Sequence, residues 1–150
     1  MLQGCGEVTH FEEHECEGFA AAEVSVNRLT EITYIDDYNE YAKIDAFVSL
    51  SDKFGVKLKS PGILRFELYE FKSLSANEVG RMIYSWPVID ITDSAVNNEY
   101  WRDSLRCYMF ELELQAKLAE TEKYVLSVTF SNPKQQLRFS DKREIQYYDK

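Results

Sequence analysis

The chain has 150 residues, 45% hydrophobic and 29% charged, with ten Tyr and nine Phe; that length fits one domain able to bury roughly 68–70% of its unfolded surface. The formal charge of −9 lies wholly in residues 1–50, where eleven acids face only Arg28 and Lys43; residues 51–150 carry fifteen acids and fifteen bases. An acidic arm with no basic stripe speaks against a nucleic-acid partner, and no run of about 18 apolar residues is present to span a bilayer as a helix.

Residues 1–19 read as an acidic tether. Cys5, Cys16 and Cys107 follow no zinc or redox spacing. His10-Phe11-Glu12-Glu13-His14 matches H-x-x-E-H, in which two His at i and i+4 share a helical face and bind zinc with Glu13 as base. That chemistry needs a rigid helix and a third ligand, and the surrounding sequence has no apolar helical face. A solvated tail, with adventitious metal binding by His10, His14 and Cys16 as a lesser reading, is the expectation. Leu2-Gln3-Gly4-Cys5 resembles the lipobox of bacterial lipoproteins, with Leu three before the Cys and a small residue just ahead of it. The resemblance covers four residues; Gln3 is untypical at its position, and the charged and apolar regions of a signal do not precede it. It implies that Cys5 is a lipid anchor and that Met1 stands at a trimmed or restarted signal. Gly6 instead of Asp after the Cys would, in Gram-negative relatives, point to the outer membrane. Acyl burial is worth about 0.8 kcal/mol per CH₂, so several chains hold durably.

From residue 20 onward the pattern is that of strands. Glu23-Val24-Ser25-Val26 alternates and is expected to run on to Leu29. Thr30 to Tyr41 reads as a loop in which Tyr34, Tyr38 and Tyr41 are interleaved with Asp36, Asp37, Asn39 and Glu40. Exposed tyrosines can anchor a protein partner or stack on a sugar. Ile44, Ala46, Val48 and Leu50 then alternate with polar neighbours, as do Leu64, Phe66 and Leu68 after the turn signals Asp52-Lys53-Phe54-Gly55 and Ser60-Pro61-Gly62. Two such amphipathic strands demand a second apolar layer.

Residues 72–79 are polar. Gly80 to Trp86 is a further strand stopped by Pro87, with Met82, Tyr84 and Trp86 expected inward on grounds of size. Val88 to Thr92 suits a short edge strand. Asp93 or Ser94 can cap one or two helical turns that lay Val96, Tyr100 and Trp101 over an open end. In Arg106 to Leu114, Tyr108, Phe110, Leu112 and Leu114 alternate with Cys107, Met109, Glu111 and Glu113. Glu111 and Glu113 lie roughly 7 Å apart on the outer face, a spacing a glycosidase pair would accept, although outward Glu pairs commonly serve solubility. Cys107, on that face, is expected to be a free thiol. Tyr124, Leu126, Val128 and Phe130 share one face of a late strand, which resembles the tyrosine-corner strand of immunoglobulin-like sandwiches without their disulfide. Leu137 to Phe139 and Ile145 to Tyr147 supply the last strand material, broken near Asp141-Lys142.

The expected fold is therefore all-β: an antiparallel β-sandwich of seven to eight strands, immunoglobulin-like or C2-like, with one short helix, spanning residues 20–150. No nucleophile elbow, P-loop or dinucleotide fingerprint occurs, and both His precede the body. The sequence thus favours a non-enzymatic, cofactor-free binding or structural module of the bacterial envelope, with cytoplasmic residence as the alternative location. It would meet a protein or glycan partner through Tyr34, Asp36, Asp37, Tyr38 and Tyr41, together with Asn97, Asn98, Tyr100 and Trp101. A Ca²⁺-dependent C2-like module using Asp36, Asp37, Asp90 and Asp93, or a carbohydrate-binding sandwich, are the alternatives.

Overall fold

The computed structural model describes residues 19–34, 38, 41–73, 76, 79–116, 118 and 122–146. Cys5, His10, His14, Cys16, Asp36 and Asp37 lie outside the described residues, as does the side chain of Tyr34. Two antiparallel sheets face each other, and one helix joins them at an end. Expectation and structure agree on an all-β sandwich with one short helix.

The first sheet is built on β3 (Ala42–Ser51). Along one flank β1 (Glu23–Val26) and β2 (Glu31–Tyr34) lie end to end; along the other, β9 (Cys107–Leu114) is followed by β4 (Lys57–Leu58). β8 (Trp101–Arg102) adds to the outer edge of β9. In the second sheet, β10 (Lys123–Asn132) lies between β11 (Leu137–Gln146) and β5 (Ile63–Phe71). The far flank of β5 carries β6 (Val79–Ser85) and β7 (Ile89–Asp90). Among the described residues there are eleven strands, three of them two-residue pieces, which leaves eight longer ones.

The alternation works as the sequence implies. Ile44, Ala46, Val48 and Leu50 of β3 have no exposed surface, nor do Leu64, Phe66 and Leu68 of β5, Phe110 of β9, and Leu126, Val128 and Phe130 of β10. Phe66 and Phe110 meet across the layers with ring centroids 5.3 Å apart. Side chains also join the sheets at their margins. Asp141 Oδ2 of β11 accepts from the N–H of Val26 on β1 at 2.8 Å, and Trp86 Nε1 donates to the Glu113 carbonyl of β9 at 2.8 Å.

Four expectations need correction. β1 stops at Val26 and does not reach Leu29, because Asn27 Oδ1 takes the Leu29 N–H and the Asn27 carbonyl takes that of Thr30, both at 3.0 Å. This local turn competes with the strand. Glu31–Tyr34, read as loop, is strand β2, with Ile32 buried opposite Ile44. β11 runs unbroken through Asp141 and Lys142, since Asp141 is in register with Val128 and is held by the edge N–H of β1. In β6 the register passes from Tyr84 opposite Leu68 to Met82 opposite Tyr69, so Ile83 is an extra residue. This bulge turns Met82 outward and lets Ile83 pack on the core. Trp86 is buried as expected, while Tyr84 shares its inner face at the sheet edge and remains 39% exposed.

The sandwich has two ends. At the hairpin end Ala42 pairs with Leu114; at the helix end Val48 pairs with Tyr108. Six residues of β9 separate these rungs, roughly 20 Å at about 3.4 Å per residue.

Candidate functional site

The helix α1 (Ser94–Tyr100) begins where Asp93 Oδ2 accepts from the N–H groups of Ala95 and Val96, so of the two caps the sequence allows, Asp93 and not Ser94 is used. Tyr100 lies against Phe110, centroids 4.8 Å apart, so the helix closes the end of the core as expected. It is fixed there by a buried polar network. Tyr108 Oη donates to Asn97 Oδ1 at 2.8 Å and accepts from the Ser60 N–H at 3.0 Å. Asn97 Nδ2 donates to the carbonyls of Ser60 and Ile91, both at 2.9 Å. Burial pushes the Tyr108 hydroxyl pKa up, against the smaller opposing pull of its Ser60 and Asn97 hydrogen bonds.

That network corrects part of the expected contact surface. Asn97 is an interior anchor and Trp101 is buried; Asn98 is exposed and Tyr100 half-buried. Trp101 is edge-on to Tyr108 at 5.1 Å and lies beneath the cations of Lys59 (5.4 Å) and Arg106 (5.7 Å). Tyr38, 80% exposed, and Tyr41, 41% exposed, belong to the β2–β3 hairpin at the opposite end. The two loops grouped as one surface therefore stand about a strand length apart.

The carboxylates proposed as calcium ligands at this end are committed to backbone. Asp90 Oδ1 accepts from the Thr92 N–H at 2.9 Å, and hydrogen bonds from Thr92 hold its carboxyl below the usual range. Asp93 caps α1. Among the described residues, no group of three or more His, Cys, Asp or Glu stands close enough to hold a metal ion. Glu111 and Glu113 are exposed on the outer face of the first sheet, as read, with Lys43 Nζ 4.0 Å from Glu111. Cys107 is a free thiol on that face, yet it is completely buried; desolvation raises its pKa against the smaller lowering by Lys57 and Arg102.

Two features escaped the sequence reading. One is the Tyr108–Asn97–Ser60 network, whose members are scattered along the chain. The other is a groove of about 830 Å³ at the helix end, between residues 19–22, the turn after β3, the β4–β5 crossover and the start of β11. The crossover is tightly built. Asn132 Nδ2 donates to the Pro61 carbonyl at 3.0 Å, and its Oδ1 caps the short 3-10 turn Pro133–Gln135. Comparison with protein-family models, with curated proteins and with solved structures finds no match to this chain.

Proposed function

We propose that the chain is a non-enzymatic binding module of the bacterial envelope, held at a membrane through a lipidated Cys5 and meeting a protein partner at its hairpin end. The observation that carries the reading is the position of Tyr38 and Tyr41. They are exposed on the β2–β3 hairpin, at the end opposite the one where residue 19 leads into β1. A tether that joins the sandwich at the helix end leaves the hairpin end free to point away from its anchor. Tyrosines suit such a contact because they offer large amphipathic area at low conformational cost.

The lipobox-like Leu2-Gln3-Gly4-Cys5 and the acidic stretch behind it supply the anchoring half of the proposal. In this reading the sandwich is a rigid holder and the tether sets its reach, at most about 3.3–3.6 Å per residue. A photo-crosslinking amino acid placed at Tyr38 in host cells tests the contact. A discrete protein adduct is expected there and not at Tyr84, which is 39% exposed on the lateral edge. Equal labelling at both positions, or none at Tyr38, overturns the assignment of the hairpin. A glycan array separates the carbohydrate alternative.

A further inference from the structure

The geometry points to a second binding site, in the groove at the helix end, for a single-chain anionic amphiphile such as a free fatty acid. Most of the groove's lining is apolar, with Phe19, Ala22, Leu58, Pro61, Leu137 and Phe139 around its length. Its volume of about 830 Å³ falls within the range of small-molecule sites, roughly 300–1,000 Å³. Phe19 is 70% exposed, so a hydrocarbon lying there would remove apolar surface that now faces water.

The charge of the lining selects the head group. Its ionisable side chains are Lys53 and Lys59, with no carboxylate among them. Lys53 Nζ lies 5.2 Å from the centroid of its neighbour Phe54. Lys59 Nζ donates to Asn98 Oδ1 at 2.9 Å and sits 5.4 Å from the Trp101 centroid. Both ammonium groups therefore have neutral partners, and among the described residues neither forms an ion pair, so positive charge without a paired carboxylate borders an apolar trough. A carboxylate joined to an alkyl chain satisfies both features at once. A cationic head on the same chain meets repulsion, and a polar anion without the chain leaves the apolar surface wet.

This site lies at the opposite end from Tyr38 and does not depend on acylation, so its test uses the full 150-residue chain carrying Cys5→Ser. Dodecanoate and dodecyltrimethylammonium, both below micelle-forming concentrations, are titrated while backbone NMR signals are followed. Saturable shifts at Ala20, Ala22, Leu137 and Phe139 are expected with dodecanoate, and roughly tenfold weaker binding with the cationic analogue. Lys53→Glu, on an exposed turn, should weaken dodecanoate several-fold without weakening the cation. Ala22→Trp should block both. Absence of saturable shifts at those residues, equal affinity for the two heads, or dodecanoate binding unchanged in Lys53→Glu overturns the proposal.

Discussion

Replacing Tyr108 by Phe removes one oxygen from the centre of the helix end and leaves the ring in place. The ring's contacts with Trp101 and Phe110 are kept, so the loss is confined to hydrogen bonding. Asn97 Oδ1 loses its donor and the Ser60 N–H loses its acceptor, and both residues are buried. An orphaned buried group costs about 1–3 kcal/mol, so the two together should cost about 2–6 kcal/mol, a large part of the roughly 5–15 kcal/mol that holds a domain together. With a mid-range urea m-value of about 2 kcal/mol/M, the midpoint should fall by roughly 1–3 M at unchanged m. The pH dependence has a definite sign. The Tyr108 pKa is raised above the ordinary 10.0 in the fold, and the hydroxyl is neutral when protonated. Its contribution is therefore full below pH 10 and is lost as pH rises through the folded value, because the unfolded chain releases the proton first. The gap between wild type and Tyr108→Phe should narrow above pH 10. Asn97→Ala serves as the partner in a double-mutant cycle, with an expected coupling of about 0.5–3 kcal/mol. A Tyr108→Phe penalty below about 0.5 kcal/mol with additive double-mutant energies would refute the reasoning, since surface substitutions reach no more than that.

Gly62→Ala should lower the melting temperature, because a Cβ there would fall on the Phe130 ring and, at 2.8 Å, on the Ser131 carbonyl. Overpacking of this kind costs about 1–3 kcal/mol, and calorimetry showing no change would mean the crossover yields more readily than its contacts imply. Asp93→Ala should cost about 1 kcal/mol through loss of the helix cap, read as a fall in the urea midpoint; Asp93→Asn, which keeps a capping oxygen, should recover most of it. With Cys5 and Cys16 replaced by Ser, the buried Cys107 thiol should react with a maleimide only as fast as the protein opens. Immediate labelling of the native protein would place that thiol at the surface.

Legibility followed the range of the forces involved. Strands such as β3, β5, β9 and β10 declare themselves because one face of each is paired with a complete apolar layer, and period-two patterning records that directly. β2 was hidden because its buried residue Ile32 sits among tyrosines and acids that read as loop. The orientation of β6 was half-missed because a one-residue bulge at Ile83 leaves no local mark, whereas the position of Trp86 followed from its size. The cap of α1 was legible to within one residue, as Asp93 or Ser94, because capping acts over three residues. The Asn97–Tyr108–Ser60 network was not, because its partners are 11, 37 and 48 positions apart and only the packed fold brings them together. For the same reason sequence alone could not tell that Tyr38 and Trp101 occupy opposite ends.

The most direct test of the proposed role is the mass and location of the protein made from its full-length gene in its own host. A membrane-fraction protein whose first residue is an acylated Cys5, and whose Cys5→Ala variant leaves that fraction, is the predicted result. A wild-type protein with an unmodified Cys5 and its upstream residues intact would contradict the account.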